Sequence, residues 1–252
     1  MLRVETVLIA FEGIDGSGKS TQAQLLANWL KAQAEEVTQS AEPTRGRWGK
    51  MLRHSFTSQR MPPQQELQCF MNDRKEHVQV VIKPALERGE TVIIDRYYYS
   101  IVAYQGARGF NPRELLQLNE AFAPKPDIVY LVDLDPKVAL ERIAASRKQG
   151  PDLLETLEEQ TKVREAFREL AQSEGNFTLV NGVLDPRTMQ DLVRARYTEW
   201  RNERKAPGSD QPTIVGQVAS TTGTCAACGA VSEMEALVRQ RKCDWCGAPW
   251  NG

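Results

Sequence analysis

Apolar residues in this chain fall into short unbroken runs separated by longer stretches with helical spacing. Val7-Leu8-Ile9-Ala10-Phe11, Thr91–Asp95, Ile128–Asp133 and Phe177–Val180 are continuous runs, as expected of central strands covered on both faces. A weaker run lies at Val37–Ala41. Between them the 3.6-residue pattern predicts helices over Thr21–Lys31, Gln64–Arg88, Pro112–Phe122, Lys137–Ser146, Leu154–Ser173 and Pro186–Arg201. Pro136 and Pro186 each follow an Asp, the order of an N-cap and a first-turn proline. Strands alternating with helices imply a parallel sheet with right-handed crossovers, a three-layer α/β sandwich. Ligands of such sheets bind beyond the carboxyl ends of the strands.

The alternation stops near Arg204. Residues 205–223 have linker composition, with Ile214–Val218 as one short strand candidate, and 224–252 form a small module. Cys69 stands alone in the first 224 residues, whereas Cys225, Cys228, Cys243 and Cys246 form two copies of a C-x-x-C-G-A turn. Four thiolates on two such knuckles predict a tetrahedral structural Zn²⁺ site, and metal binding would supply the folding energy that so short a segment lacks. The segment resembles a zinc ribbon. Disulfides fit an intracellular enzyme poorly, and no βαβ unit accompanies either pair as a thioredoxin-like role would need. Residues 201–252 carry six basic and five acidic side chains, so no electrostatic footprint supports nucleic-acid binding there, although Trp245, Trp250 and Arg239–Lys242 leave a docking role open.

Composition narrows the class. A formal net charge of −1 gives no global field toward nucleic acid or acidic membranes. No run nears the ~18 apolar residues of a membrane span, and the start shows no signal-peptide core. A cytoplasmic enzyme is expected.

The chemistry lies directly after the first strand. Gly13-Ile14-Asp15-Gly16-Ser17-Gly18-Lys19-Ser20 is a complete G-x-x-x-x-G-K-[ST] phosphate loop set between strand and helix. Gly13, Gly16 and Gly18 free the backbone to turn N–H groups, with those of Ser17 and Thr21 nearby, toward phosphate oxygens at a helix N-terminus. Lys19 would reach the β- and γ-phosphates of ATP and the Ser20 hydroxyl would ligate Mg²⁺.

Phe11–Gln22 resembles the opening of the thymidylate kinases nearly residue for residue. Glu42-Pro43-Thr44-Arg45, Phe70-Met71-Asn72-Asp73-Arg74 and Asp95-Arg96-Tyr97, continuing through Ser100, Tyr104 and Gly106, agree with that family. The resemblance covers roughly residues 5–200. It implies a P-loop nucleoside monophosphate kinase fold, commonly homodimeric, with ATP and dTMP as substrates. It also implies that Phe70 stacks on the acceptor base, Arg74 donates to a pyrimidine carbonyl, and Arg96 with Arg45 forks onto the acceptor phosphate. Asp95 would hold Mg²⁺ through water, Asp15 would meet the deoxyribose 3′-hydroxyl, Tyr104 would wall the nucleoside, and Gln160 would sit near the base. Without the family match, Phe70 reads as core, and Arg74 as a partner of Asp73 or Glu76 on a solvated helix face. Tyr97, Tyr98 and Tyr99 read as packing.

A catalytic arginine in this family comes from the phosphate loop or from a lid. Gly16 stands where the first class carries a basic residue, so the lid is expected to supply it. Arg147 is favoured, with Lys148 a further candidate and Arg142 lining the site from the preceding helix. Ala41 replaces an arginine that many bacterial relatives carry before Glu-Pro, and Asp152-Leu153-Leu154-Glu155 departs from the usual lid pattern. The same residues are compatible with two other functions: a monophosphate kinase with a different or broader acceptor range, and a non-catalytic nucleotide-binding protein docked through its tail.

Overall fold

The computed structural model describes residues 6–146 and 156–205, with two short strands at 222–224 and 231–233. Five parallel strands form one sheet: β1 (Leu8–Glu12), β2 (Val37–Ala41), β3 (Thr91–Asp95), β4 (Ile128–Asp133) and β5 (Phe177–Asn181). Their order is β2-β3-β1-β4-β5. β1 is therefore central, with Phe11 beside Asp95 on one flank and Tyr130 on the other.

Side chains alternate across the sheet with period two, and both faces are covered. Leu8, Ala10, Val92, Ile94, Val129 and Leu131 pack into one core with residues of α5 (Tyr98–Gly106) and α8 (Leu157–Ser173). Ile9, Phe11, Ile93, Tyr130 and Val132 face the other way, against α1 (Lys19–Lys31) and α9 (Pro186–Lys205). The three layers expected from the sequence are present. β2 is the exception to the continuous apolar runs. Val-Thr-Gln-Ser-Ala is only half-buried because it lies at the sheet edge.

Helix boundaries follow local chemistry. Asp135 accepts the Lys137 N–H at 2.9 Å, and Asp185 accepts those of Arg187 and Thr188 at 3.0 and 3.1 Å, so both Asp-Pro starts are capped. These begin α7 (Pro136–Ser146) and α9; α6 (Pro112–Glu120) starts in the same way at Asn111. The single helix expected over Gln64–Arg88 is instead α3 (Pro63–His77), a π-helical turn over Val78–Ile82 and α4 (Lys83–Glu87). Pro84 explains the interruption. It has no N–H for an i−4 bond and its ring crowds the preceding turn, and the Lys83 N–H reaches back to the Val78 carbonyl. Two helices were not anticipated, α2 (Arg47–Thr57) and α5. The buried Tyr97, Tyr98 and Tyr99 do pack, at or within the start of α5.

Strands β6 (Thr222–Thr224) and β7 (Val231–Glu233) pair antiparallel. The Ile214–Val218 strand candidate lies outside the described residues, as do the four cysteines of the tail.

The phosphate loop is tightly enclosed. Gly16 has φ +78°, and a Cβ there would lie 2.5 Å from the Ala139 carbonyl oxygen and 3.0 Å from Ile143 Cγ1. Replacing Gly16 with Ala should cost roughly 1–3 kcal/mol of stability from strain and overlap. Urea unfolding of the two proteins would measure it; equal midpoints would show that the loop is looser than described.

Candidate active site

Three clefts meet around the phosphate loop. The first, of about 190 Å³, is lined by Asp15, Glu42, Phe70, Arg74, Arg96 and Tyr104, together with Arg53, Phe56, Ile101 and Gln105. The second holds Ser20, Thr44, Arg45, Arg53 and Asp95. The third runs from Gly16, Gly18, Lys19, Ser20 and Thr21 to Arg142, Asp185 and Met189. α1 begins at Lys19, two residues before the expected start, because Gly18 at φ +103° turns the loop straight into the helix. Gly13, at φ +141°, passes so close to β4 that a Cβ would stand 2.5 Å from the Val132 carbonyl oxygen. The Ser17 hydroxyl is buried with no partner among the described residues.

Charges at the junction are paired. Arg96 Nη2 donates to Asp15 Oδ1 at 2.6 Å, and Lys19 Nζ lies 3.5 Å from the same oxygen. Arg96 also donates to the Tyr104 hydroxyl at 3.2 Å and to Ser100 Oγ at 3.2 Å, and Tyr104 donates to Asp15 Oδ2 at 3.3 Å. Burial alone would raise the Asp15 pKa, but Arg96 and Lys19 together hold it well below the usual carboxylate range. Burial, assisted by the Arg96 charge, lowers the pKa of Lys19.

Arg74 is buried, not solvated. Its Nη1 donates to Asn119 Oδ1 at 2.6 Å, its Nη2 pairs with Glu42, and its guanidinium lies 5.4 Å from the Tyr97 ring centre. The Asp73 or Glu76 pairing considered from the sequence is thus replaced by Glu42 and Asn119. Asp73 turns the other way, accepting the Thr44 N–H and hydroxyl at 2.7 Å each, which fixes the loop before α2. Glu42 also takes His77 Nδ1 at 2.8 Å. Burial opposes its ionisation, yet Arg74 and His77 bring its pKa below the ordinary value.

Phe70 is half-buried with its ring 6.2 Å from that of Phe56, leaving an aromatic wall on the first cleft. Arg45 is exposed and lies in the second cleft with Asp95, away from the Arg96 cavity. Arg53, not picked out from the sequence, borders both clefts and donates to the Pro43 carbonyl at 2.7 Å. Gln105 was also missed. Its Nε2 donates to Glu66 at 2.8 Å, leaving its buried carbonyl oxygen without a partner among the described residues. Gln160 is buried on α8 and does not line the first cleft. Arg142 lines the third cleft, whereas Arg147 and Lys148 lie outside the described residues.

Asp95 ends β3 with Oδ1 buried and no partner among the described residues, in the cleft that also holds the Ser20 hydroxyl. A carboxylate and a hydroxyl are hard oxygen donors and fit a Mg²⁺ site. Among the described residues no group of three or more His, Cys, Asp or Glu forms a metal cluster, and no helix is long and apolar enough to cross a membrane.

This geometry coincides with a family match. The thymidylate kinase family model matches residues 11–193, nearly three quarters of the chain. The chain belongs to the thymidylate kinase family. A thymidylate kinase of Akkermansia muciniphila is 54% identical over 136 residues, 54% of this chain and 66% of that protein. One from Xanthomonas euvesicatoria is 48% identical over 164 residues, 65% of this chain and 72% of that protein. The chain thus spans about two thirds of the length of the Akkermansia protein and somewhat more of the Xanthomonas one. The crystal structure of thymidylate kinase from Ehrlichia chaffeensis superposes with a TM-score of 0.63 at 28% identity, covering 76% of this chain and 98% of that one. The chain is therefore an enzyme of the nucleoside monophosphate kinase class, for which ATP and Mg²⁺ are the family's phosphoryl donor and metal.

Glu12 gives the site a pH signature. Burial pushes its carboxyl from 4.5 up to about 7, against the opposing hydrogen bonds from Ser100 and Tyr97. Between these values the folded protein retains a proton that the unfolded chain has released, so stability falls as pH rises. Relative to Glu12→Gln, which does not titrate, the native protein should lose up to about 3 kcal/mol between pH 4.5 and 7.5. Urea unfolding across that range tests this; parallel pH curves would contradict it.

Proposed function

We propose that this thymidylate kinase family member transfers the γ-phosphoryl group of ATP to dTMP, giving ADP and dTDP. The carrying observation is the meeting of a glycine phosphate loop with the first cleft, whose wall is Phe70 and whose lining includes Arg74 and Arg96. An aromatic face suits a base, and buried guanidinium groups suit a carbonyl and a phosphate.

In this reading the main-chain amides of Gly13–Thr21 and the Lys19 ammonium hold the ATP phosphates, while Arg142 borders the same cleft. Phe70 stacks on the thymine, Arg74 donates to a ring carbonyl, and the free Gln105 carbonyl oxygen accepts the ring N–H. Asp15 and Tyr104 face the sugar, and Arg96, with Arg53 on the same cleft, takes the acceptor phosphate, while Arg45 borders the neighbouring cleft that Arg53 shares. Ser20 and Asp95 would hold Mg²⁺, which neutralises charge on the phosphates when bound. The protein's task is to keep acceptor oxygen and γ-phosphate in line and to exclude water, with Arg147 of the lid as the proposed closing cation. A homodimer is part of this reading on the family resemblance alone, and a cytoplasmic location on the sequence features given above.

Coupled ADP release with each monophosphate in turn tests the assignment. We expect strong preference for dTMP, and equal turnover of dTMP, dUMP, dCMP and dGMP would defeat it. Lys19→Ala should lower kcat by at least about 100-fold with the fold intact, and Phe70→Ala should raise the dTMP KM more than the ATP KM.

The division into a kinase domain (1–204), a linker (205–223) and a zinc module (224–252) belongs to the same proposal. Its support is the C-x-x-C-G-A repeat, whose first knuckle is flanked by the paired strands β6 and β7. Elemental analysis should find about one Zn per chain; a value near zero would refute the module.

A further inference from the structure

β1 ends on Glu12, a wholly buried carboxylate to which the phosphate-loop reading gives no task. Its Oε1 accepts the Tyr97 N–H at 2.8 Å and the Ser100 N–H at 3.2 Å, and its Oε2 accepts the Ser100 hydroxyl at 2.5 Å. Those amides are the cap and the third residue of α5, whose own cap residue Tyr97 provides no side-chain acceptor. A carboxylate borrowed from a distant strand therefore caps this helix.

The residue before the capped turn is Arg96. Its φ of +65° is a left-handed conformation that a side chain of this size adopts only when its surroundings impose it. The Arg96 N–H donates to the Phe11 carbonyl at 2.9 Å, and its Nη1 donates to the Ser100 hydroxyl oxygen at 3.2 Å. Backbone and guanidinium are thus both referenced to the last two residues of β1. Because the Ser100 proton goes to Glu12, the Ser100 lone pairs remain available to Arg96.

We propose that Glu12 is a positioning residue for Arg96: it fixes the Arg96–Tyr97 turn and the Ser100 hydroxyl, and through them aims the guanidinium at the acceptor phosphate. The proposal rests on the phosphoryl-transfer reading and deepens it. A glutamine of the same shape can keep both N–H bonds on its Oε1 only by turning its amide N–H₂ to Ser100 Oγ. That reverses the bond, turns the Ser100 proton away and takes up a lone pair otherwise open to Arg96.

The full chain carrying Glu12→Gln, Ser100→Ala or both should be assayed with dTMP and ATP varied separately. Glu12→Gln should raise the dTMP KM roughly tenfold with the ATP KM within about twofold, the scale of one charge-assisted hydrogen bond. Ser100→Ala should move the same constant, and the double variant should be no worse than Glu12→Gln. An unchanged dTMP KM in both single variants, or an ATP KM rising in step, would overturn the proposal. If Glu12→Gln fails to fold, Ser100→Ala alone decides. If the native chain turns over no dTMP, the activity reading fails by itself. The crystal structures of the variants then judge Glu12: Arg96 leaving its left-handed conformation, or its guanidinium leaving Asp15, supports the role, and an unmoved Arg96 refutes it.

Discussion

The site depends on one strand pairing, the parallel register that sets Phe11 beside Asp95. β1 delivers the phosphate loop and β3 delivers Asp95 and Arg96, and both emerge at the same edge because their carboxyl ends are level. Side chains alternate along a strand, so a slip of one residue would turn Ile93 and Ile94 to the wrong cores and carry Asp95 away from Ser20. The two apolar layers hold that register: Ile9, Phe11 and Ile93 face one side, Leu8, Ala10 and Ile94 the other. Burial of the larger of these chains is worth roughly 1.5–3 kcal/mol each, which makes misregister expensive and the charged edge a fixed object.

Fixing so many charges beside a core requires compensation within the protein. Arg74 and Glu42 are both buried, and an isolated charge of either sign there would be prohibitive. Asn119, His77 and the Tyr97 ring complete their surroundings. Asp15 plays the corresponding part for Lys19 and Arg96. The cations on which the proposed substrates rely are thus held in place by acids of the protein itself. Preorganisation of this kind removes reorganisation from the moment of reaction.

The sequence revealed the parts whose chemistry is local. β1, β3 and β4 are unbroken apolar runs, the glycine loop is contiguous, and both Asp-Pro starts carry their own caps. α2 was overlooked although it was legible: Trp48, Met51, Leu52 and Phe56 stand at i, i+3, i+4 and i+8, an amphipathic stripe broken only by Gly49 near its start. α5 failed in the opposite way: Tyr98-Tyr99-Ser100-Ile101-Val102-Ala103-Tyr104 is apolar almost all round, because the helix is buried on most sides. Gln105 matters through Glu66, 39 residues away, and Arg53 through the Pro43 carbonyl of the loop before α2, and no spacing rule points to either. The Arg74 environment is similar: its family role was readable, but its partners Glu42 and Asn119, 32 and 45 residues away, were not.

The enclosure of Gly16 bears on where catalytic charge can come from. With Ala139 and Ile143 pressed against it, this position has no room to send a long basic side chain into the cleft without displacing α7. Lys19 is already engaged with Asp15 and the Ile14 carbonyl, and Arg96 is held by Asp15, Ser100 and Tyr104 in the cleft of Phe70. In the cleft of Lys19 and Ser20 the described residues also offer Arg142 at the rim, half-buried on α7. A transition state that spreads charge over three oxygens calls for more than one cation there. The helix that excludes a basic residue from the phosphate loop therefore also carries Arg142, so the packing contact that closes one source of charge sets another at the rim.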